Sequence, residues 1–199
     1  DSNEIFSNID GVEMAVNGGY RLMASPDLYS RNLTWGFASA IGQNYTYGAS
    51  SSKYDINHDW KNFTTMPAAI WEKGFNVIAN ANQVLAEVEG KDASFFPEGQ
   101  VHKDMIVGEM YGVRALMHFD LMRLFAPALT TTANANKVTM PYVDTYPCSY
   151  PTHIATSKVL DNAIRDMEIA REKLGYLDTI FCRSWNSRED YRFKTNGMS

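Results

Sequence analysis

Cysteine is scarce in this sequence. Its 199 residues include only Cys148 and Cys182, and neither lies in a Cys-x-x-Cys pair or near a histidine at zinc-binding spacing. A disulfide between them would need an oxidising compartment, and we expect two free, partly buried thiols instead. Long apolar runs are also absent, since none approaches the ~18–20 residues needed to cross a bilayer. The segment from Asp1 shows no secretory signal, so either nothing targets the chain or its targeting segment has been removed.

The chain also lacks an excess of positive charge. Its 18 basic and 23 acidic residues give a formal net charge of −5, which provides no field of the kind that nucleic acids require. There is no nucleophile motif such as Gly-x-Ser-x-Gly and no glycine-rich phosphate loop after a strand. A helical glycosidase would need two carboxylates held across a cleft, and no pair at helical spacing provides them. We therefore expect a protein without catalytic residues, cofactor or nucleic-acid partner.

Two groups of charged residues can be explained without a metal site or catalysis. Asp55, His58 and Asp59 offer oxygen and imidazole donors within five residues, but such a cluster in a loop is usually solvated. We expect no metal site there. Asp120 and Arg123 share one helix face at i, i+3, and we interpret them, with Glu109 and Arg114, as ion pairs and caps that hold helices together.

Four segments show the periodicity of amphipathic helices. They run from about Asn8 to Ala24, from Thr65 to Val88, from His102 to the residue before Pro127, and from Ser157 to Leu174. We expect Ser7 and Asp10 to cap the first helix, Thr65 the second and Ser157 the fourth. The residues between them lack this periodicity, apart from a short extended candidate from Val138 to Val143. The pattern predicts a mainly helical chain with long loops.

Three features predict how these helices pack. Asn82 lies on the apolar stripe of the second helix, so we expect its amide to bond a loop backbone. Gly108 and Gly112 lie inside the third helix, where each glycine costs roughly 1 kcal/mol against alanine, so a neighbouring helix should pack very close. In the fourth helix we expect the buried positions to be Leu160, Ile164, Met167, Ala170 and Leu174.

The long loop before the second helix is the candidate binding segment. Residues 31–63 bring together aromatic rings and amides, and aromatic faces can stack on sugar rings while amides bind the hydroxyls beside them. The predicted ligand contacts are Trp35, Asn44, Tyr45, Tyr47, Tyr54, Trp60 and Asn62. Alternatively, Trp35 and one or two tyrosines only hold this loop on the helices.

Residues 108–127 read Gly-Glu-Met-Tyr-Gly-Val-Arg-Ala-Leu-Met-His-Phe-Asp-Leu-Met-Arg-Leu-Phe-Ala-Pro, and Trp71, Phe75, Ile78 and Asn82 recur at a matching spacing in the second helix. Together with Gly18–Tyr20 and the Ile164–Leu174 series, these motifs resemble the SusD/RagB family of outer-membrane nutrient-binding lipoproteins. The departures are Ala126 for a turn glycine, His118 for a common tyrosine and Met110 for a small residue. These three departures alter the details of packing and leave the resemblance intact.

The resemblance implies an all-α, tetratricopeptide-like helical scaffold with long irregular loops, in which residues 1–199 are the N-terminal domain of a longer protein. It implies non-catalytic capture of glycans, or sometimes peptides, for a SusC-like TonB-dependent transporter. A lipid anchor upstream of Asp1 would hold the protein on the cell surface, at the outer membrane. The alternative is a helical-repeat scaffold that binds the transporter or a peptide. The family's ligand contacts lie in variable loops, so none is carried over.

Overall fold

The computed structural model describes residues 2–42, residue 44 and residues 65–177. In chain order its elements are α1 (Ser2–Ile5), α2 (Ile9–Met23), α3 (Phe37–Ile41), α4 (Thr65–Val88), a 3₁₀ helix (Ala93–Phe95), α5 (Gln100–Phe125), α6 (Thr132–Asn136), β1 (Val138–Pro141), β2 (His153–Ala155) and α7 (Thr156–Leu174). The predicted mainly helical fold is confirmed, and the four predicted helices are α2, α4, α5 and α7. Among the helices described, none is long and apolar enough to span a membrane.

The four long helices pack in sequence, α2 on α4, α4 on α5 and α5 on α7, as in a helical-repeat scaffold. Helix α5 is the centre of this layer and is buried on most of its circumference, as expected for a helix with neighbours on several sides. Its buried apolar positions include Ile106, Met110, Val113, Met117 and Leu121. Helix α5 also buries charged side chains, so it carries both the apolar core and the polar contacts between helices.

Short elements occur where the sequence showed no periodicity. Helix α3 lies within residues 25–64, and its Phe37 and Ala40 are buried. Strands β1 and β2 pair antiparallel, with Met140 opposite Ile154, so a small sheet accompanies the predicted all-α layer. Strand β1 falls within the predicted extended segment. These elements are too short for a period to be read from sequence.

Two predicted helix caps are wrong. Asn8 caps α2 by accepting the N–H of Gly11 at 2.9 Å, while the hydroxyl of Ser7 donates to the carbonyl of Glu4. Helix α7 begins directly after β2, so Ala155 is already held in extended backbone and no side chain caps the helix. Thr156 then donates its hydroxyl to Lys137 O at 3.0 Å, which ties the start of α7 to β1. For α4, the residue before Thr65 lies outside the described residues.

The buried face of α7 also differs from the predicted one. Its buried residues are Thr156, Val159, Ala163, Asp166 and Ala170. Of the five positions predicted to be buried, Ala170 is buried and Leu160 and Leu174 are half-buried, but Ile164 is 49% and Met167 46% exposed. The reason lies in the contacts with α5. Asp166 on α7 pairs with Arg114 on α5, and Ala170 packs against Gly112, so this face of α7 is buried in place of the one that carries Ile164 and Met167.

The close approach that the glycines predict is confirmed. A Cβ on Gly108 would lie 2.7 Å from Cγ of Leu174 and 2.9 Å from Cβ of Lys173. A Cβ on Gly112 would meet only Cβ of Ala170, at 3.7 Å, which is an ordinary contact. The C-terminal end of α7 therefore packs most tightly, against the N-terminal half of α5.

These distances predict opposite effects for one substitution at two positions. Gly108→Ala should lower the free energy of unfolding by about 1–3 kcal/mol, because the clash with α7 outweighs the gain in helix propensity. Gly112→Ala has room for its methyl group and should raise stability by up to about 1 kcal/mol. Urea unfolding followed by circular dichroism measures both. Equal effects at the two sites would contradict the inferred packing.

Candidate functional site

Residues 25–42 form a compact turn, here named the tryptophan turn, on the outside of the helical layer. Leu28, Asn32, Phe37 and Ala40 are buried within it or against the helices. Trp35 lies between these anchors and is 60% exposed. These buried residues help to hold the turn, and a large part of the Trp35 surface faces solvent.

The backbone around Trp35 is fixed by hydrogen bonds. Gly36 donates its N–H to Arg31 O at 2.6 Å, and the hydroxyls of Thr34 and Ser39 donate to Tyr29 O and Thr34 O at 3.0 and 2.8 Å. A Cβ on Gly36 would lie 2.8 Å from Arg31 O, so this tight reversal needs glycine directly after the tryptophan. The indole is presented on a preorganised turn, which lowers the entropic cost of stacking on a ligand.

A long-range contact ties the tryptophan turn to α5. The hydroxyl of Tyr29 donates to Oδ2 of Asp120 at 2.5 Å, and Arg123 donates to Oδ1 of the same carboxylate, its Nε at 3.1 Å. Burial and the carboxylate beside it raise the pKa of Tyr29 well above its ordinary range, so its hydroxyl stays protonated and continues to donate. The predicted Asp120–Arg123 pair is confirmed, and it serves structure.

Of the seven predicted contacts, the structure describes two. Trp35 is exposed on its turn, and Asn44 is exposed two residues after it ends, with its backbone N–H bonded to Ser39 O at 3.1 Å. The other five predicted contacts lie outside the described residues: Tyr45, Tyr47, Tyr54, Trp60 and Asn62. The cluster of Asp55, His58 and Asp59 and the thiol of Cys182 also lie outside them. Their part in binding remains a prediction.

A buried charged network joins three helices on another side of α5. Arg114 donates from Nε to Oδ2 of Asp166 at 2.6 Å and from Nη1 to Oδ1 of Asn82 at 2.9 Å. Asn82 in turn donates its amide to Val143 O at 2.9 Å, which confirms the predicted bond to a loop backbone. Burial raises the pKa of Asp166, but hydrogen bonds from Arg114 and Tyr142 outweigh it and hold that pKa below the ordinary value. Asp166 therefore stays a carboxylate.

His118 extends this network as a neutral side chain. The backbone N–H of Val143 donates to its Nε2 at 3.0 Å, so the ring proton lies on Nδ1, which donates to Arg114 O at 2.9 Å. The ring of Tyr142 stacks on it, with 3.9 Å between centroids. Burial lowers the pKa of His118 to about 4. This histidine therefore packs in the core.

Within residues 2–42 and 65–177, no three His, Cys, Asp or Glu side chains are placed to hold a metal ion. The carboxylates of Asp120 and Asp166 are committed to cations that neighbour them. Cys148 is a free, exposed thiol, which corrects its predicted partial burial. The groups that face solvent at the tryptophan turn can stack and donate hydrogen bonds.

Sequence analysis missed the residues that hold Trp35 in place. Tyr29 and Asp120 are 91 positions apart, and no periodicity connects a residue in an irregular turn with one near the end of a distant helix. A local signal was available in Gly36, since a glycine directly after an aromatic residue in a loop suggests a tight reversal.

A family model described as SusD-like, starch-binding and associating with the outer membrane matches residues 4–177. Two solved structures from Bacteroides vulgatus ATCC 8482 share the fold. One is described as sugar binding (TM-score 0.69, 23% identity), the other as a SusD-like carbohydrate binding protein (TM-score 0.63, 15% identity). Each comparison covers 83% of this chain but only 37% and 35% of those proteins, so the chain spans little more than a third of their length. The curated proteins contain no significant match.

The neutral state of His118 predicts acid sensitivity. Its folded pKa of about 4 lies below the ordinary 6.5, so the unfolded chain binds more protons between these values. Stability should fall as the pH drops from about 6.5 to 4, by roughly 3 kcal/mol from this residue, with no further contribution from it below pH 4. Urea unfolding at several pH values measures this. His118→Gln should flatten the pH dependence in that window, and an unchanged slope would contradict the assignment.

Proposed function

The chain belongs to the SusD-like family, and we propose on that premise that it captures glycans by reversible binding, without a covalent step. The observation that carries the proposal is the exposed indole of Trp35 on a rigid turn. An exposed aromatic face on a fixed backbone can stack on the apolar face of a sugar ring with little ordering of the backbone on binding. The descriptions of the two solved relatives as sugar or carbohydrate binding support the same ligand class.

The proposed binding surface continues from the turn into the following segment. Asn44, exposed close to the turn, would bind a hydroxyl beside the stacked ring. Further stacking and amide contacts are proposed from the sequence for Tyr45, Tyr47, Tyr54, Trp60 and Asn62. Several aromatic residues in one segment would give a glycan chain more than one point of contact.

Delivery is the second part of the proposal. The family description, starch-binding and associating with the outer membrane, supports a cell-surface role at that membrane. We therefore propose that a lipid anchor holds the protein there and that the bound oligosaccharide passes to a SusC-like TonB-dependent transporter. Such a handover needs moderate, reversible affinity, which stacking and hydrogen bonds at an exposed turn provide.

Loss of the indole should weaken glycan binding. Trp35→Ala is expected to raise the dissociation constant about tenfold or more, because the stacking surface disappears. Isothermal titration against plant, host and microbial polysaccharides, with this chain and with the complete gene product, measures it. Trp60→Ala tests the second predicted tryptophan in parallel.

Tyr150→Ala is the matched control, since Tyr150 is 95% exposed and lies outside the tryptophan turn. It should bind like the wild type. Unchanged affinity in Trp35→Ala would remove that residue from the site. Binding to none of the glycans by the folded protein, together with tight association with the transporter or a peptide, would favour the alternative of a protein-interaction scaffold.

A further inference from the structure

A polar cleft of about 400 Å³ opens between α4, α5, α7 and residues 144–146. Its floor is the buried network of Asn82, Arg114 and Asp166, and its walls rise from there to the solvent. This volume lies in the lower part of the ~300–1,000 Å³ range of small-molecule sites, so it suits one or two rings.

The floor of the cleft is rigid. Arg114 and Asp166 are almost fully buried and held by charge-assisted hydrogen bonds, and Nη1 of Arg114 also donates to Asp144 O at 3.3 Å. The loop above is fixed at Val143, whose N–H and carbonyl are bonded to His118 and Asn82. A ligand entering the cleft would meet a surface that is already ordered.

The rim combines aromatic and hydrogen-bonding groups. The hydroxyl of Tyr111 donates to Oε1 of Glu89 at 2.8 Å, and Nη2 of Arg165 lies 3.5 Å from Oδ2 of Asp144. Tyr146 is 44% exposed at the edge. These groups suit a sugar. Carboxylates accept hydrogen bonds from its hydroxyls, a guanidinium donates hydrogen bonds to them, and tyrosine rings stack on its apolar face.

The charge of the cleft selects against anions. Three carboxylates, of Glu89, Asp144 and Asp166, face two guanidinium groups, of Arg114 and Arg165, which gives a formal charge of −1. Both guanidinium groups already contact carboxylates, so no cation remains uncompensated for a phosphate or a uronate. A neutral, hydroxyl-rich sugar ring can form hydrogen bonds with the rim residues while the ion pairs of Arg114 and Arg165 stay in place.

We infer that this cleft is a second saccharide contact, which takes one or two neutral sugar rings apart from the tryptophan turn. The inference rests on the proposed function. The two sites lie on different sides of α5, because Tyr111 and the turn's anchor Asp120 are nine residues apart, which is half a rotation of the helix and about 14 Å along its axis. A glycan chain or two separate chains could then contact the protein at two independent points.

Isothermal titration of this chain tests the inference. The neutral probes are maltoheptaose, cellohexaose and xylohexaose, and the charged probe is trigalacturonate. Tyr146→Ala and Asp144→Asn alter the rim without touching the buried floor, and Tyr150→Ala is the control. At least one neutral probe should lose about fivefold in affinity with either rim variant, and Tyr150→Ala should match the wild type. Because the sites are far apart, Trp35→Ala and Tyr146→Ala should act additively in the double variant.

Amide chemical shifts measured with the same probes separate the possible failures. Shifts at residues 144–146 on adding a neutral probe support the cleft. Wild-type affinity in both rim variants, with no such shifts while Trp35→Ala loses binding, overturns the cleft and leaves the proposed function intact. Absence of binding to every probe and to the polysaccharide panel overturns both. A preference for trigalacturonate at residues 144–146 overturns the neutral ligand class.

Discussion

The buried guanidinium of Arg114 is the point on which the helical layer depends. It extends from α5 to Asp166 on α7 and to Asn82 on α4, and it reaches the loop carbonyl of Asp144. A charge this deeply buried is tolerated only while its partners stay in place, because each missing partner would leave a desolvated polar group. The pairing therefore fixes where three helices and one loop meet, and adds a specificity of arrangement that apolar packing alone does not supply.

The same interaction explains which parts of the fold the sequence predicted. Periodicity located all four long helices, and Asn82 on an apolar stripe correctly indicated a buried amide with a backbone partner. On α7, Ala170 is buried as predicted, but Ile164 and Met167 were wrongly predicted to be buried because the pattern weighs only hydrophobicity. In the structure, Asp166 faces Arg114 and Ala170 faces Gly112, so Ile164 and Met167 turn outward. A buried ion pair overrode the apolar stripe.

Less of the candidate site was predictable. Composition drew attention to Trp35, and the structure leaves its indole exposed on a rigid support, with anchors that no local pattern identifies. The cleft was invisible in the sequence, since Glu89, Tyr111, Asp144 and Arg165 come from four separate segments. Each of them resembles an ordinary surface residue until the helices meet. Sites built across elements depend on packing, and packing is what a linear pattern conveys least.

Stability and the proposed recognition therefore depend on different atoms of the same structure. Arg114, Asp166 and Asn82 are buried and mutually committed, so their replacement would be costly to the fold. The rim residues and Trp35 are partly exposed, and surface substitutions away from buried contacts usually change stability by only about 0.5 kcal/mol. If glycans bind as proposed, the exposed groups can vary, and with them the preferred glycan, while the buried network keeps the helices in place. A scaffold with this division can serve many ligands without changing its fold.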